Sequence, residues 1–171
     1  MATKRIIFIG VCLVLAIAVF GVANRQNKLS DKSTVSKSVS TTPEPKPLTA
    51  EGLYEETNKE RLKAGVSTLK LNTLLNESAS LKAKELQKEG WDKTPHVNNN
   101  GKQGYTYTID VGANCIYSSE NLLVNAKSLQ DGFNWWMNSK PHRKAILDPR
   151  YESVGFAIVD KYVVQHFCDE Y

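Results

Sequence analysis

Three histidines, a glutamate and a pair of cysteines carry most of the chemistry open to this chain, and all lie in its second half. His96 follows Pro95 and precedes Asn98-Asn-Asn-Gly101, which places it in a loop. His142 follows Ser139-Lys-Pro141, and a proline in the first turn opens a short helix there. Imidazoles titrate near neutral pH and bind divalent metals, and Glu120, just ahead of Leu122-Leu123, adds a carboxylate. His166 alternates with Gln165 and Phe167 along an extended stretch, so it reads as a structural or surface residue.

A hydrolase needs a nucleophile or an activated water. The chain holds neither a Gly-x-Ser-x-Gly elbow nor a His-Glu-x-x-His helix. Cys115 precedes Glu120 closely enough for a cysteine–histidine site, but a disulfide would remove its thiolate. Zinc-activated water with Glu120 as general base is chemically possible.

The elements that must position these residues are legible in outline. Thr49 caps a helix running to about Ala64 and ended by Gly65, and Asn72 opens a second that Gly90 closes. In the second, Leu75, Ala79, Ala83 and Leu86 recur at helical spacing. Ser128 with Asp131 resembles a capping box for a third helix containing Phe133, Trp136 and Met137, and residues 141–147 make a fourth. Trp135 and Trp136 point about 100° apart on that third helix, so one fills the core and the other can line a groove. Residues 105–111 are β-branched and aromatic and predict a strand; residues 153–159 and 162–168 predict a hairpin turning at Asp160-Lys161. Clustered rather than alternating elements predict an α+β fold with helices on an antiparallel sheet. Asn76-Glu-Ser78 is a glycosylation sequon inside the second helix.

The ends of the 171-residue chain differ. Residues 6–23 form an uncharged apolar run preceded by Lys4 and Arg5, long enough to span roughly 27 Å of bilayer. It reads as a transmembrane anchor, with a cleaved signal peptide ending at Gly21-Val22-Ala23 as the alternative. Either sends the remainder outside the cytoplasm. Residues 24–48 are rich in Ser, Thr, Lys and Pro and read as a disordered tether. Residues 1–48 carry a net charge of +5 and the rest −1, so the basic balance belongs to the leader, and nucleic-acid binding is disfavoured. Cys12 lies in the apolar run; Cys115 and Cys168 remain in an oxidising compartment. They form either a disulfide, worth roughly 3–4 kcal/mol, or two unpaired buried thiols.

Asn58-Lys-Glu-Arg61, Leu69-Lys-Leu71, His96 in its loop and Ser119-Glu-Asn-Leu122 occur in that order. Trp136-Met-Asn-Ser-Lys-Pro-His-Arg143, Ala145-Ile-Leu147, Tyr151-Glu-Ser-Val-Gly155 and Val164-Gln-His-Phe167 follow. Together they resemble the CAP superfamily of cysteine-rich secretory, antigen-5-like and pathogenesis-related proteins, in its bacterial SCP-like extracellular form. The resemblance covers roughly residues 49–168 and implies an α-β-α sandwich around an antiparallel sheet, with residues 49–171 as the domain. It also implies a cleft on which His96, Glu120 and His142 converge. Two imidazoles and a carboxylate can hold Zn2+ or another divalent metal, with water completing the shell. The family's second cleft glutamate is matched here by Asn138, a poorer ligand. The reading that follows is a non-catalytic extracytoplasmic binding module held at the membrane by its N-terminal helix. Its extracellular ligand is a lipid, a protein or a cell-wall component. The alternatives are a metal-dependent hydrolase acting on peptide or cell-wall material and a surface protein whose cleft residues only pack.

Overall fold

Side-chain caps set where the helices start. In a computed structural model that describes residues 44–91 and 95–171, Thr49 Oγ1 accepts the Gly52 N–H at 3.0 Å and starts α1 (Ala50–Lys63). Asn72 Oδ1 accepts the Leu74 N–H at 2.9 Å and starts α2 (Thr73–Glu89). Ser128 Oγ accepts the Asp131 N–H at 3.2 Å ahead of α4 (Leu129–Asn138), which α5 (Lys140–Leu147) follows. These caps satisfy amides that have no partner inside the helix. The apolar run 6–23, Cys12 and the tether up to residue 43 lie outside the described residues. Among the described residues no helix is long and apolar enough to cross a membrane.

The sheet contains β1 (Lys70–Leu71), β2 (Cys115–Val124), β3 (Ser153–Val159) and β4 (Tyr162–Glu170) in the order β1-β3-β4-β2. β3 and β4 form the expected hairpin, turning at Asp160, whose φ of 53° is tolerated by an aspartate. The expectation of an antiparallel sheet needs correction: β1 pairs in parallel with β3, so the sheet is mixed. The chain reaches β1 directly from α1 and leaves it into α2, so the short strand enters the edge without a hairpin partner.

The expected strand at residues 105–111 is also corrected. Those residues form a 3-10 turn (Gly104–Thr106) and the short α3 (Tyr107–Asp110). Threonine hydroxyls bind local carbonyls there, Thr106 Oγ1 to Gln103 O at 2.7 Å and Thr108 Oγ1 to Tyr105 O at 2.8 Å. Local side-chain bonds of this kind compete with a sheet ladder. The strand lies instead at β2, where the polar run Ser118-Ser119-Glu120-Asn121 hides the usual apolar alternation.

Helices cover both faces of the sheet. On one, Leu53, Leu129, Phe133, Trp136 and Ile146 pack on Val154, Val163 and Phe167. On the other, Ala79, Ala83 and Leu86 of α2 meet Leu122, Tyr162 and Val164. The α2 backbone comes so close to β3 that a Cβ at Gly155 would strike Leu75 and Asn76. Cys115 and Cys168 are joined in a disulfide with Cα atoms 5.3 Å apart, which ties the start of β2 to the end of β4.

Candidate functional site

Glu120 lies on β2 directly opposite His166 on β4. Its side chain is 2% exposed and both oxygens are engaged: Oε1 with His96 Nδ1 at 2.8 Å, Oε2 with His166 Nε2 at 3.0 Å. His166 Nδ1 in turn lies 2.6 Å from Ser78 Oγ of α2. Gly104 lies directly over the carboxylate, where any side chain would collide with it, and its N–H donates to His96 O at 2.6 Å. The 3-10 turn therefore fixes the histidine loop against the glutamate.

Burial pushes the Glu120 carboxyl up, but hydrogen bonds from His166 and His96, with the charges of His166 and Lys82, hold it below its ordinary value. An ionised carboxylate only accepts, so His96 Nδ1 and His166 Nε2 carry the protons. The neutral His96 tautomer then has a free lone pair on Nε2, on a ring that is 48% exposed. Lys82 is fully buried and donates to Val97 O at 3.1 Å, beside Glu85 at 3.5 Å. Tyr107 donates to Glu85 at 2.6 Å, and burial with that bond pushes its pKa up. Lys82, Glu85 and Tyr107 thus support the backbone next to His96.

His142, on α5, is half-buried, and its Nδ1 is buried without a partner among the described residues. Burial, then the nearness of His96 whenever that ring is protonated, lowers its pKa. Trp135, 51% exposed, tilts over its ring at 5.0 Å. Trp136 fills the core and donates to Leu122 O at 3.0 Å. His142 is positioned through a buried amide chain: Asn121 Nδ2 donates to His142 O and Gln165 Oε1, and Gln165 Nε2 donates to Thr57 Oγ1 at 3.2 Å. Asn138 is exposed at the end of α4 and lines a surface cavity of about 510 Å³ with Met137, Lys140 and Arg143. Among the described residues it makes no side-chain hydrogen bond to His96, Glu120 or His142. Asn76 of the sequon accepts the Phe156 N–H at 2.8 Å, so it braces β3.

The residues fit a metal only in part. Among the described residues no group of three or more His, Cys, Asp and Glu side chains is gathered as a metal cluster. Glu120 has both oxygens occupied by imidazole N–H groups, which suits an orienting partner better than a ligand. His96 Nε2 and neutral His142 are the donors that remain. The sequence reads His166 as structural or surface; it is buried and structural, and its partnership with Glu120 is what the sequence reading missed. Its signal was an imidazole embedded among Val163, Val164 and Phe167, where a buried polar group needs a partner.

Helices thus cover both faces of a small mixed sheet, and a carboxylate clasped by two histidines sits on its strand β2. The family model for the cysteine-rich secretory protein family, CAP, matches residues 54–168, and the chain belongs to that family. The protein YkwD of Bacillus subtilis is 28% identical over 132 residues, 75% of this chain and 50% of its own length. This chain therefore spans half of that curated relative. An extracellular protein containing an SCP domain from Bacillus anthracis superposes with a TM-score of 0.66 at 17% identity, over 71% of this chain and 40% of its own. An outer surface protein of Borrelia burgdorferi gives 0.64 at 18% identity, over 75% of this chain and all of its own. At these identities the likeness establishes the fold.

Proposed function

We propose that the chain is an extracytoplasmic CAP-domain binding module, held at the membrane by residues 6–23, whose recognition site is the cleft flanked by His96 and His142. One observation carries the reading: Glu120 is spent on holding two imidazoles, which orients His96 with its Nε2 outward. The oxidised Cys115 removes the thiolate that a cysteine–histidine hydrolase would need, and Ser78 is fully buried behind His166. Extracellular and outer-surface relatives, together with the disulfide, support the location outside the cytoplasm.

In this reading His96 and His142 hold a divalent cation such as Zn2+, with Glu120 as the partner that fixes the His96 tautomer. The ion would supply a positive charge and open coordination positions for an anionic or carbonyl-bearing ligand. The test is calorimetric titration of zinc into the chelator-stripped full chain in non-ionic detergent, beside the His96→Ala/His142→Ala double variant. Saturable one-to-one binding that the variant loses supports the site. Equal binding by both, or none, removes the metal from the proposal.

A further inference from the structure

Among the described residues β2 is an edge strand, and the hydrogen-bond parity of its residues says which main-chain groups face outward. Asn125 donates to Lys161 O at 3.0 Å, which puts Asn125, and with the alternation of an antiparallel ladder Leu123, Asn121 and Ser119, in bonded pairs with β4. Ser118, Glu120, Leu122 and Val124 then aim their N–H and C=O groups away from the sheet. Trp136 agrees from the other side: its indole N–H reaches the outward Leu122 carbonyl at 3.0 Å. Glu120 has main chain that reaches solvent among the described residues. Its side chain is 2% exposed, yet the residue as a whole is partly exposed, so the accessible surface is main chain.

The open run is short. The indole covers it at Leu122, and the irregular register between Cys115 and Tyr117 ends it on the other side. The 3-10 turn over Glu120 and His142 beside Asn121 flank it. Two buried polar atoms without partners among the described residues, Ser119 Oγ and His142 Nδ1, lie along the same strand and the helix it contacts. Exposed Ile116, Tyr117 and Trp135 offer apolar surface near its ends. An edge of this length is too small for sheet-to-sheet docking of a second copy, which needs a longer unpaired strand and a larger interface. It suits a single extended segment, which gains affinity from main-chain bonds and specificity from pockets for alternate side chains.

We propose that the outer edge of β2 at residues 118–120 takes one strand of an extended peptide from another protein, bonded to the main chain of Ser118 and Glu120. The inference rests on the cleft being a binding site and names the class of partner. It does not need the metal.

A phage-displayed library of random 12-residue peptides, panned on the full chain in non-ionic detergent, supplies the probe. The enriched peptide is then made with N-methyl groups on alternate residues. A strand added to the edge loses at least tenfold in affinity when the residues that donate to β2 are methylated, and keeps it within twofold for the other parity. Ser118→Pro deletes one outward N–H without touching the β4 ladder, so it weakens the peptide at least fivefold, whereas Ser118→Ala does not. If Ser118→Pro proves unfolded by its melting curve, the parity of the methylation effect decides alone. No enriched peptide, or binders indifferent to methylation parity, overturns the proposal. The zinc titration is unaffected by that result, so failure of the edge and failure of the cleft are told apart.

Discussion

Glu120 is the residue on which the site turns, because the two imidazoles of His96 and His166 take their orientation from it. Replacing it with glutamine keeps the shape but puts an amide N–H2 against a ring N–H or forces a tautomer change. We expect Glu120→Gln to lose about 2–3 kcal/mol, as for a buried bond to a charged group, measurable by urea unfolding. The pH dependence follows from two groups. Glu120 has a lowered pKa in the fold, so its contribution is complete above its ordinary 4.5 and is lost as pH falls through the lower folded value. His142 is also lowered from its ordinary 6.5, by burial and by His96. Below 6.5 the unfolded chain takes up a proton that the fold resists, so stability declines with falling pH there too. Unfolding free energy should therefore drop between pH 7 and 5 and again in the acid range. His142→Gln should flatten the upper part, and a series of urea curves across pH checks it.

At the scale of elements, the family motifs turn out to be struts. Asn58 Oδ1 accepts the Leu69 N–H at 2.8 Å while its Nδ2 donates to Leu69 O at 3.0 Å. Arg61 is fully buried, and its guanidinium binds the carbonyls of Ser67, Ile146, Asp148 and Tyr151. Arg61→Ala should cost about 3–5 kcal/mol, since it leaves several buried carbonyls without donors. Gly155→Ala should cost a comparable amount because the added methyl meets α2 backbone, which cannot swing aside as a side chain can. Thermal unfolding measures both. Helix caps and the β3–β4 hairpin were readable because they depend on neighbours within a few residues. Residues 105–111 and β2 were not: threonine and tyrosine favour strands only where a sheet receives them, and the polar face of β2 is explained by partners 46 and 44 residues away. The pairing of His166 with Glu120 was hidden for the same reason, since it is set by register rather than by sequence spacing.

For the molecule as a whole, the disulfide closes a loop with a sequence separation of 53. Removing it through Cys115→Ala/Cys168→Ala should lower unfolding free energy by about 4 kcal/mol in the chain-entropy model, read from urea midpoints with and without reductant. Its position beside the open edge of β2 also holds the start of that strand on the sheet. The covalent bond limits the separation of β2 and β4, the strands that carry Glu120 and His166. Of the residues that the sequence singled out, His96 bonds Glu120, and the main-chain carbonyl of His142 is held by the neighbouring Asn121. Asn138 bonds none of them among the described residues, while the glutamate serves as a clasp between His96 and His166. That arrangement makes a specific claim about one proton. Nitrogen-15 NMR of histidine-labelled full chain reads it directly: His96 should be the Nδ1–H tautomer at neutral pH, with the Nε2 resonance shifting on zinc addition and the tautomer lost in Glu120→Gln. An Nε2–H tautomer at His96, indifferent to zinc and to that substitution, would contradict it.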